Sequence, residues 1–188
     1  MSRYIRERYK GFQSYTPGEQ PKEMEYIKLN TNESPFPPAP GVCRRLKEAD
    51  MERLRLYPDI SYSFYEVIAK LHGVNFRVNT LSLILGSAVM EDEAYYRKNA
   101  EIIQENRKYT AETLTFMGFE VLPSKANFVF ARRPGMDGDM LYRKLKEKGV
   151  LVRHFTTERI QDYVRITIGT KEQMDVLFAK LREILQEE

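Results

Sequence analysis

The chain has 188 residues, of which 42% are hydrophobic and 30% charged, a composition typical of a globular protein with one ordinary core. Its 30 basic and 27 acidic residues are interspersed and leave a net charge of +3, which argues against a dedicated nucleic-acid-binding protein. The single cysteine, Cys43, excludes an intrachain disulfide, argues against a zinc site and indicates a cytoplasmic protein. The longest apolar stretch, 81–90, is too short to span a membrane, and the charged start of the chain is unlike a signal peptide.

The first half of the chain predicts a polar arm followed by short elements. In chain order these are an arm over 1–26, a strand over 26–30, an extended loop over 32–41 and helices over 42–48 and 61–73. The loop contains four prolines, and proline disfavours both helix and strand pairing. The arm is expected to pack against another part of the protein.

Two helices follow in the centre of the chain. Asn79 is a candidate N-cap for a helix over 81–90, which is apolar nearly all round and is therefore expected to be buried on every side. A long amphipathic helix is predicted over 91–117, and Gly118 is placed to end it.

The last seventy residues have the most regular pattern. Strands are predicted over 119–123, 126–131, 150–155 and 163–168. Asp137 or Asp139 caps a helix that ends at Gly149, and Thr170 with Gln173 forms a capping box for a final helix. We expect an α/β (α+β) domain in which a short, mainly antiparallel sheet carries helices on one face.

Two arginines on these strands are candidate binding residues. Alternation places Arg165 on the side of its strand opposite Val164, Ile166 and Ile168, and Arg153 is likewise out of phase with its neighbouring valines. A guanidinium binds a carboxylate through two parallel hydrogen bonds, although the same pattern suits solvated surface arginines. Two such contacts would give only about millimolar affinity. Nucleophile elbows, glycine-rich phosphate loops and metalloprotease motifs are absent from the sequence.

Several stretches together resemble the histidinol-phosphate aminotransferases, which are fold-type I pyridoxal-phosphate enzymes. The most specific are Asn-Thr-Asn-Glu-Ser-Pro at 30–35 and Arg-Ile-Thr-Ile-Gly-Thr at 165–170, and each is weak alone. The likeness covers nearly the whole chain, with matching segments at 15–21, 27–36, 54–59, 126–128, 149–153 and 165–170.

The resemblance implies roles for five residues. Arg165 matches the residue that binds the substrate's α-carboxylate, and Arg153 matches one near its phosphate end. Asn30 and Asn32 lie in the segment that lines the substrate entrance. Tyr57 matches a tyrosine that reaches across a dimer interface toward the cofactor phosphate. The implied cofactor is pyridoxal phosphate, the implied partners are histidinol phosphate, 2-oxoglutarate or glutamate, and the implied assembly is a homo-oligomer.

One departure from the family's pattern affects all of these roles. A cofactor-binding domain on the order of 150 residues follows the family's counterpart of 71–74, whereas here the chain continues directly into 76–81, with an apparent junction near 74–78. The family's phosphate turn, pyridine-facing aspartate and Schiff-base lysine belong to that domain. The pair at 124–125 and the stretch at 92–95 mimic two of these motifs. The neighbours of the first match the small domain, and those of the second match the start of the family's long helix.

Three interpretations remain open at this point. The first is a catalytically silent aminotransferase remnant, with an arm and loop over 1–41 and a small domain over 42–188. The second is a binding or self-associating module in which the apolar stretch 81–90 finds another cover. The third, an active enzyme of unrelated type, has no sequence feature in its favour.

Overall fold

The structure is a computed structural model that describes residues 18–52, Leu56 and 79–187. Helices and strands alternate along it in an α+β order. In chain order they are β1 (Ile27–Lys28), α1 (Pro40–Glu48), α2 (Thr80–Glu91), α3 (Glu93–Phe116), β2 (Glu120–Leu122), β3 (Phe128–Arg132), α4 (Gly138–Glu147), β4 (Val150–Leu151), β5 (Arg153–His154), β6 (Val164–Thr167) and α5 (Lys171–Gln186). The predicted helix over 61–73 lies outside the described residues.

The main sheet is antiparallel and has the strand order β2-β3-β6-β5. The helices α3 and α4 contact this sheet, and α5 contacts both of these helices. They bury the inner-facing residues of the two central strands, which are Val129, Ala131, Val164 and Ile166. Burial of that apolar surface is the main stabilising contribution to the fold. The predicted mainly antiparallel sheet with helices on one face is therefore confirmed.

The helix boundaries follow the capping residues that the sequence offers. Asn79 Oδ1 accepts a hydrogen bond from Ser82 N at 2.9 Å, and Asp137 rather than Asp139 caps α4 through Met140 N, also at 2.9 Å. Gly118 and Gly149, which follow α3 and α4, both have φ of +83°, a conformation that glycine adopts without strain.

The predicted loop over 32–41 is two residues too long. Helix α1 begins at Pro40, with Ala39 as its N-cap. Proline is tolerated in the first turn of a helix, because its missing N–H would have no intrahelical partner there. The prolines therefore exclude helix before residue 40, and the last of them starts the helix.

The predicted strand over 150–155 is divided between two sheets. β4 pairs in parallel with β1, and Ile27 N donates to Gly149 O at 2.9 Å. One residue later β5 pairs antiparallel with β6. Beyond the end of β5, the segment that follows β1 lies beside β6, since Thr167 N donates to Leu29 O at 2.9 Å. The N-terminal segment is thus joined to the domain through backbone hydrogen bonds.

The apolar helix α2 is only partly covered. Leu83 and Ala88 are buried, whereas Leu85 and Val89 are half-buried and Met90 is 41% exposed. The expectation of burial on every side is therefore not met within the described part of the chain. None of the described helices combines the length and apolar character needed to cross a membrane.

Candidate anion-binding site

The outer face of the main sheet, which the helices leave uncovered, carries arginines and aromatic rings. The alternation of β3 and β6 sends Phe128, Phe130, Tyr163 and Arg165 to this face, because the residues between them point into the core. Phe130 and Tyr163 stack with their ring centroids 5.1 Å apart and their planes 5° from parallel. The aromatic rings therefore form an apolar surface against which the charged side chains pack.

Arg165 lies in the middle of this face, as its sequence pattern predicted. Its Cα partners are Phe130 on one side and Arg153 on the other. Its guanidinium carbon is 5.2 Å from the centre of the Phe128 ring, within the range of a cation–π interaction. Its Nη2 also donates to the backbone oxygen of Asn30 at 3.2 Å. These contacts fix the direction of a half-buried guanidinium.

Arg153 stands directly opposite Arg165 on the neighbouring strand. The two residues are Cα partners in the antiparallel pairing of β5 and β6, so their side chains leave the same face. Arg153 also lies near the N-terminal segment, where its charge contributes to lowering the pKa of Glu19, after the larger effects of hydrogen bonds from Lys146 and Tyr142. The two facing arginines make this part of the outer face electropositive, which attracts anions.

Asn30 is a buried residue, and it connects the N-terminal segment to Arg165. It is 2% exposed, and its Nδ2 donates to Glu19 O at 2.8 Å. Its Oδ1 is buried without a hydrogen-bond partner among the described residues. An unpaired buried acceptor costs free energy. The structure thus places Asn30 next to Arg165.

Asn32 is placed differently. It is exposed and lines a second cavity of about 690 Å³, together with Pro35, Phe36, Tyr96 and Asn127. That cavity does not include Arg165 or Arg153 among its lining residues. The structure brings together Arg165, Arg153 and Asn30 but leaves Asn32 in the neighbouring groove. Tyr57, the fifth predicted site residue, lies outside the described residues.

A cavity of about 510 Å³ opens beside Arg165 on the outer face. Its walls include Phe128, Phe130, Phe155 and the exposed Lys125. These aromatic rings were not predicted from the sequence as site residues. The sequence does contain a pattern that could have indicated them. Phe128 and Phe130 alternate with Val129 and Ala131, which places these large apolar side chains on the face opposite the core.

The residues of this cavity do not fit pyridoxal phosphate, the cofactor that the resemblance implies. The cofactor acts through an imine on a lysine, and a carboxylate faces its pyridine nitrogen in enzymes of this kind. Lys125 is exposed on the rim, and its neighbour Ser124 donates a 2.6 Å hydrogen bond to Phe128 O within the strand connection. No aspartate or glutamate lines the described part of the cavity.

Three other described lysines have a raised pKa. A raised pKa is unfavourable for imine formation, because the neutral amine is the nucleophile. In each case a hydrogen bond to a carboxylate is the main cause of the raised pKa: Lys146 bonds to Glu19, Lys148 to Glu187 and Lys171 to Asp175. These lysines are structural partners of carboxylates rather than nucleophiles.

The comparison with known sequences defines the class of this protein. The sequence pattern of the family described as aminotransferase class I and II matches residues 74–181, which is more than half of the chain. The chain therefore belongs to the aminotransferase class I and II family.

Two sequence relatives are histidinol-phosphate aminotransferases. The protein of Syntrophus aciditrophicus is 44% identical over 110 residues, which are 58% of this chain and 30% of the relative. The protein of Brachyspira hyodysenteriae is 23% identical over 353 positions that cover 99% of this chain and all of the relative. Because this chain has 188 residues, it is about half as long as the relative with which it aligns from end to end.

Two solved histidinol-phosphate aminotransferases have the same fold over the matched part. The structure from Clostridium acetobutylicum has a TM-score of 0.55 at 22% identity, and it covers 65% of this chain and 39% of its own. The structure from Sinorhizobium meliloti, in complex with pyridoxal 5′-phosphate, has a TM-score of 0.52 at 20% identity, and it covers 65% and 34%. In both comparisons, roughly a third of the solved enzyme aligns with about two thirds of this chain.

Proposed function

We propose that this chain is the substrate-binding small domain of a histidinol-phosphate aminotransferase type of protein, and that it binds the substrate's anionic group without catalysing transamination. The observation that carries this proposal is Arg165, which lines a cavity on the outer face of the sheet and has Arg153 as its cross-strand Cα partner. A guanidinium held in a fixed direction binds a carboxylate or phosphate through paired hydrogen bonds, so such a pair of arginines suits the recognition of these groups.

The roles within the site are divided among its residues. Arg165 binds the carboxylate or phosphate by a paired hydrogen bond, and Arg153 adds a second positive charge. Asn30 holds the Arg165 side chain through its backbone oxygen. Asn32 contacts the part of a longer ligand that extends into the neighbouring groove. Tyr57 belongs to the cofactor side of a dimer and has a role only where a large domain is present.

The chain's length supports the part of the proposal that concerns catalysis. The relative that aligns from end to end is about twice as long, which supports a missing cofactor domain with its junction near 74–78. The arm and loop over 1–41 and the small domain over 42–188 would then be the parts that remain. We place the protein in the cytoplasm, as a homo-oligomer, with small-molecule partners.

Chemical trapping of the cofactor tests the silent character of the chain. The protein is incubated with pyridoxal phosphate, reduced with borohydride and mapped by peptide mass spectrometry, and turnover of histidinol phosphate with 2-oxoglutarate is assayed in parallel. We expect substoichiometric labelling spread over exposed lysines such as Lys125, and no turnover. One stoichiometric lysine adduct accompanied by turnover would contradict the proposal.

A second candidate function is a non-catalytic, self-associating module. The half-buried apolar side chains of α2 favour it, together with Met90, which is 41% exposed. Such a surface lowers its free energy by contact with another apolar surface. This function is compatible with anion binding, because α2 contacts α1 and α3 and has no described contact with β5 or β6.

A further inference from the structure

Two side chains of β6 bind the same stretch of the N-terminal segment. Arg165 and Thr167 are two residues apart on this strand, so its alternation directs both side chains to the outer face of the sheet. Arg165 Nη2 donates to Asn30 O at 3.2 Å, and Thr167 Oγ1 donates to Thr31 O at 2.7 Å. The two side chains therefore bind successive carbonyl oxygens of one piece of backbone.

Thr167 binds this backbone on both sides of Asn30. Its backbone N donates to Leu29 O at 2.9 Å, and its hydroxyl donates to Thr31 O. Thr167 is only 3% exposed, and a hydrogen bond that is shielded from water in this way is electrostatically stronger than an exposed one. The residues before and after Asn30 are thus both attached to the same residue of β6.

The side chain of Asn30 is attached elsewhere. Its Nδ2 donates to Glu19 O at 2.8 Å, and the Glu19 carboxylate pairs with Lys146 on α4. The Asn30 carbonyl that receives the Arg165 hydrogen bond therefore lies in a segment held by β6 on one side and by Glu19 on the other. Of these contacts, the Thr167 hydroxyl is the one that a substitution removes without changing any charge.

We propose that Thr167 is a positioning residue of the anion site, whose hydroxyl holds the 29–31 segment in place so that the Asn30 oxygen directs the Arg165 guanidinium. The inference rests on the proposed function, since it takes Arg165 as the residue that binds the anion. A guanidinium has five N–H donors, so a hydrogen bond to one carbonyl is compatible with binding an anion. Thr167 acts through Asn30 and Arg165 and does not itself contact the ligand.

The test compares Thr167→Val and Thr167→Ser in the full chain. Valine keeps the branched shape without the hydroxyl, and serine keeps the hydroxyl. Isothermal titration with histidinol phosphate is carried out at a temperature where circular dichroism shows every variant to be folded. We expect Thr167→Val to weaken binding about 3- to 10-fold, and Thr167→Ser to stay within about twofold of the unmodified chain.

Thr110→Val is the matched control. Thr110 is also buried, and its hydroxyl donates to Asn106 O at 2.7 Å within α3. The substitution therefore removes a hydrogen bond of the same kind that has no part in holding Arg165. We expect it to leave the affinity for histidinol phosphate unchanged, even where it lowers the stability of the fold.

The mobility of the Arg165 side chain separates positioning from a merely structural role. The order parameter of its Nε–H bond, measured by ¹⁵N relaxation without ligand, should fall in Thr167→Val and stay unchanged in Thr167→Ser and Thr110→Val. A loss of affinity without this change would overturn the inference, because Thr167 would then act by another route.

The affinities distinguish this inference from the proposed function. Equal affinity of Thr167→Val and the unmodified chain, or equal losses in Thr167→Val and Thr110→Val, would overturn the inference and leave the proposed function intact. If the unmodified chain does not bind histidinol phosphate, the proposed function fails and this inference fails with it.

Discussion

Arg165 packs against aromatic rings where water has limited access, and this environment strengthens its interaction with an anion. A guanidinium that has already lost part of its hydration has a smaller desolvation penalty when it binds an anion. The hydrogen bond to the Asn30 oxygen also fixes its direction. The sequence predicted the face on which Arg165 lies, because the alternation along β6 is regular. It did not predict that Arg153 is its exact cross-strand partner, since register depends on pairing between distant segments.

At the same scale, Tyr109 connects α3 to α5 through a charged partner. Its hydroxyl donates to Asp175 at 2.6 Å, and Lys171 donates to the other carboxylate oxygen at 2.7 Å. The hydrogen bond from Lys171, followed by that from Tyr109, lowers the pKa of Asp175. A carboxyl whose pKa is lowered by folding adds stability above its unfolded pKa and loses it as the pH falls through the folded value.

Tyr109→Phe is therefore expected to destabilise the protein by about 0.5–1 kcal/mol at neutral pH. The substitution keeps the ring contact with Phe178, whose centroid is 5.4 Å away, and removes only the hydrogen bond. Urea unfolding at several pH values measures the difference, which should shrink toward zero as acid protonates Asp175. Tyr163→Phe, on the outer face, is the matched control. A difference that stays constant with pH would assign the loss to packing instead.

At the scale of elements, the caps and periodicities near the C-terminus were predictable because they are local. The buried side of α5 consists of the predicted residues Met174, Leu177, Leu181 and Ile184, with Phe178 in addition. The division of the strand over 150–155 was not predictable, because Val150 to Val152 are all buried and only the partners β1 and β6 decide where each part pairs. The pairing of this segment is therefore decided by strands from distant parts of the chain and not by its local hydrophobic pattern.

Helix α5 offers a test of the capping box. Thr170 Oγ1 accepts from Gln173 N at 3.4 Å, and Gln173 Oε1 accepts from Thr170 N at 2.9 Å. Thr170→Ala is expected to lower the free energy of unfolding by about 1 kcal/mol, because it leaves a first-turn N–H without its partner. Chemical denaturation measures the loss, with the exposed Thr156→Ala as control. Equal effects of the two substitutions would refute the contribution of the box.

At the scale of the whole molecule, the chain combines an apolar helix that is only partly covered with a length about half that of its relatives. The small domain has its own core of buried side chains from α3, α4, α5 and the main sheet. The helices α1 and α2 form a smaller cluster around Ala39, Val42 and Ala88. The main core supports the domain, while the small cluster leaves apolar surface for a second molecule.

We therefore expect the chain to self-associate at micromolar concentrations and to bind a hydrophobic dye. Met90→Glu, on α2, should shift the equilibrium toward the monomer, because a buried carboxylate without a partner is costly. Val176→Glu on α5 is the matched control, since Val176 has a similar exposure of 39%. Sedimentation equilibrium measures the assembly. A monomer over the whole concentration range, with no dye binding, would rule out the second candidate function.

Under the proposed function, this chain retains the substrate's anion site at Arg165. Isothermal titration of the purified protein with histidinol phosphate, in the absence of pyridoxal phosphate, tests it most directly. We predict one site with a dissociation constant of about 1 mM or somewhat tighter for the unmodified chain. Arg165→Met should weaken binding at least about tenfold, whereas Arg132→Met, on the same face but paired with Glu120, should leave it unchanged. Equal binding by the unmodified chain and Arg165→Met, or no binding by either, would contradict the claim.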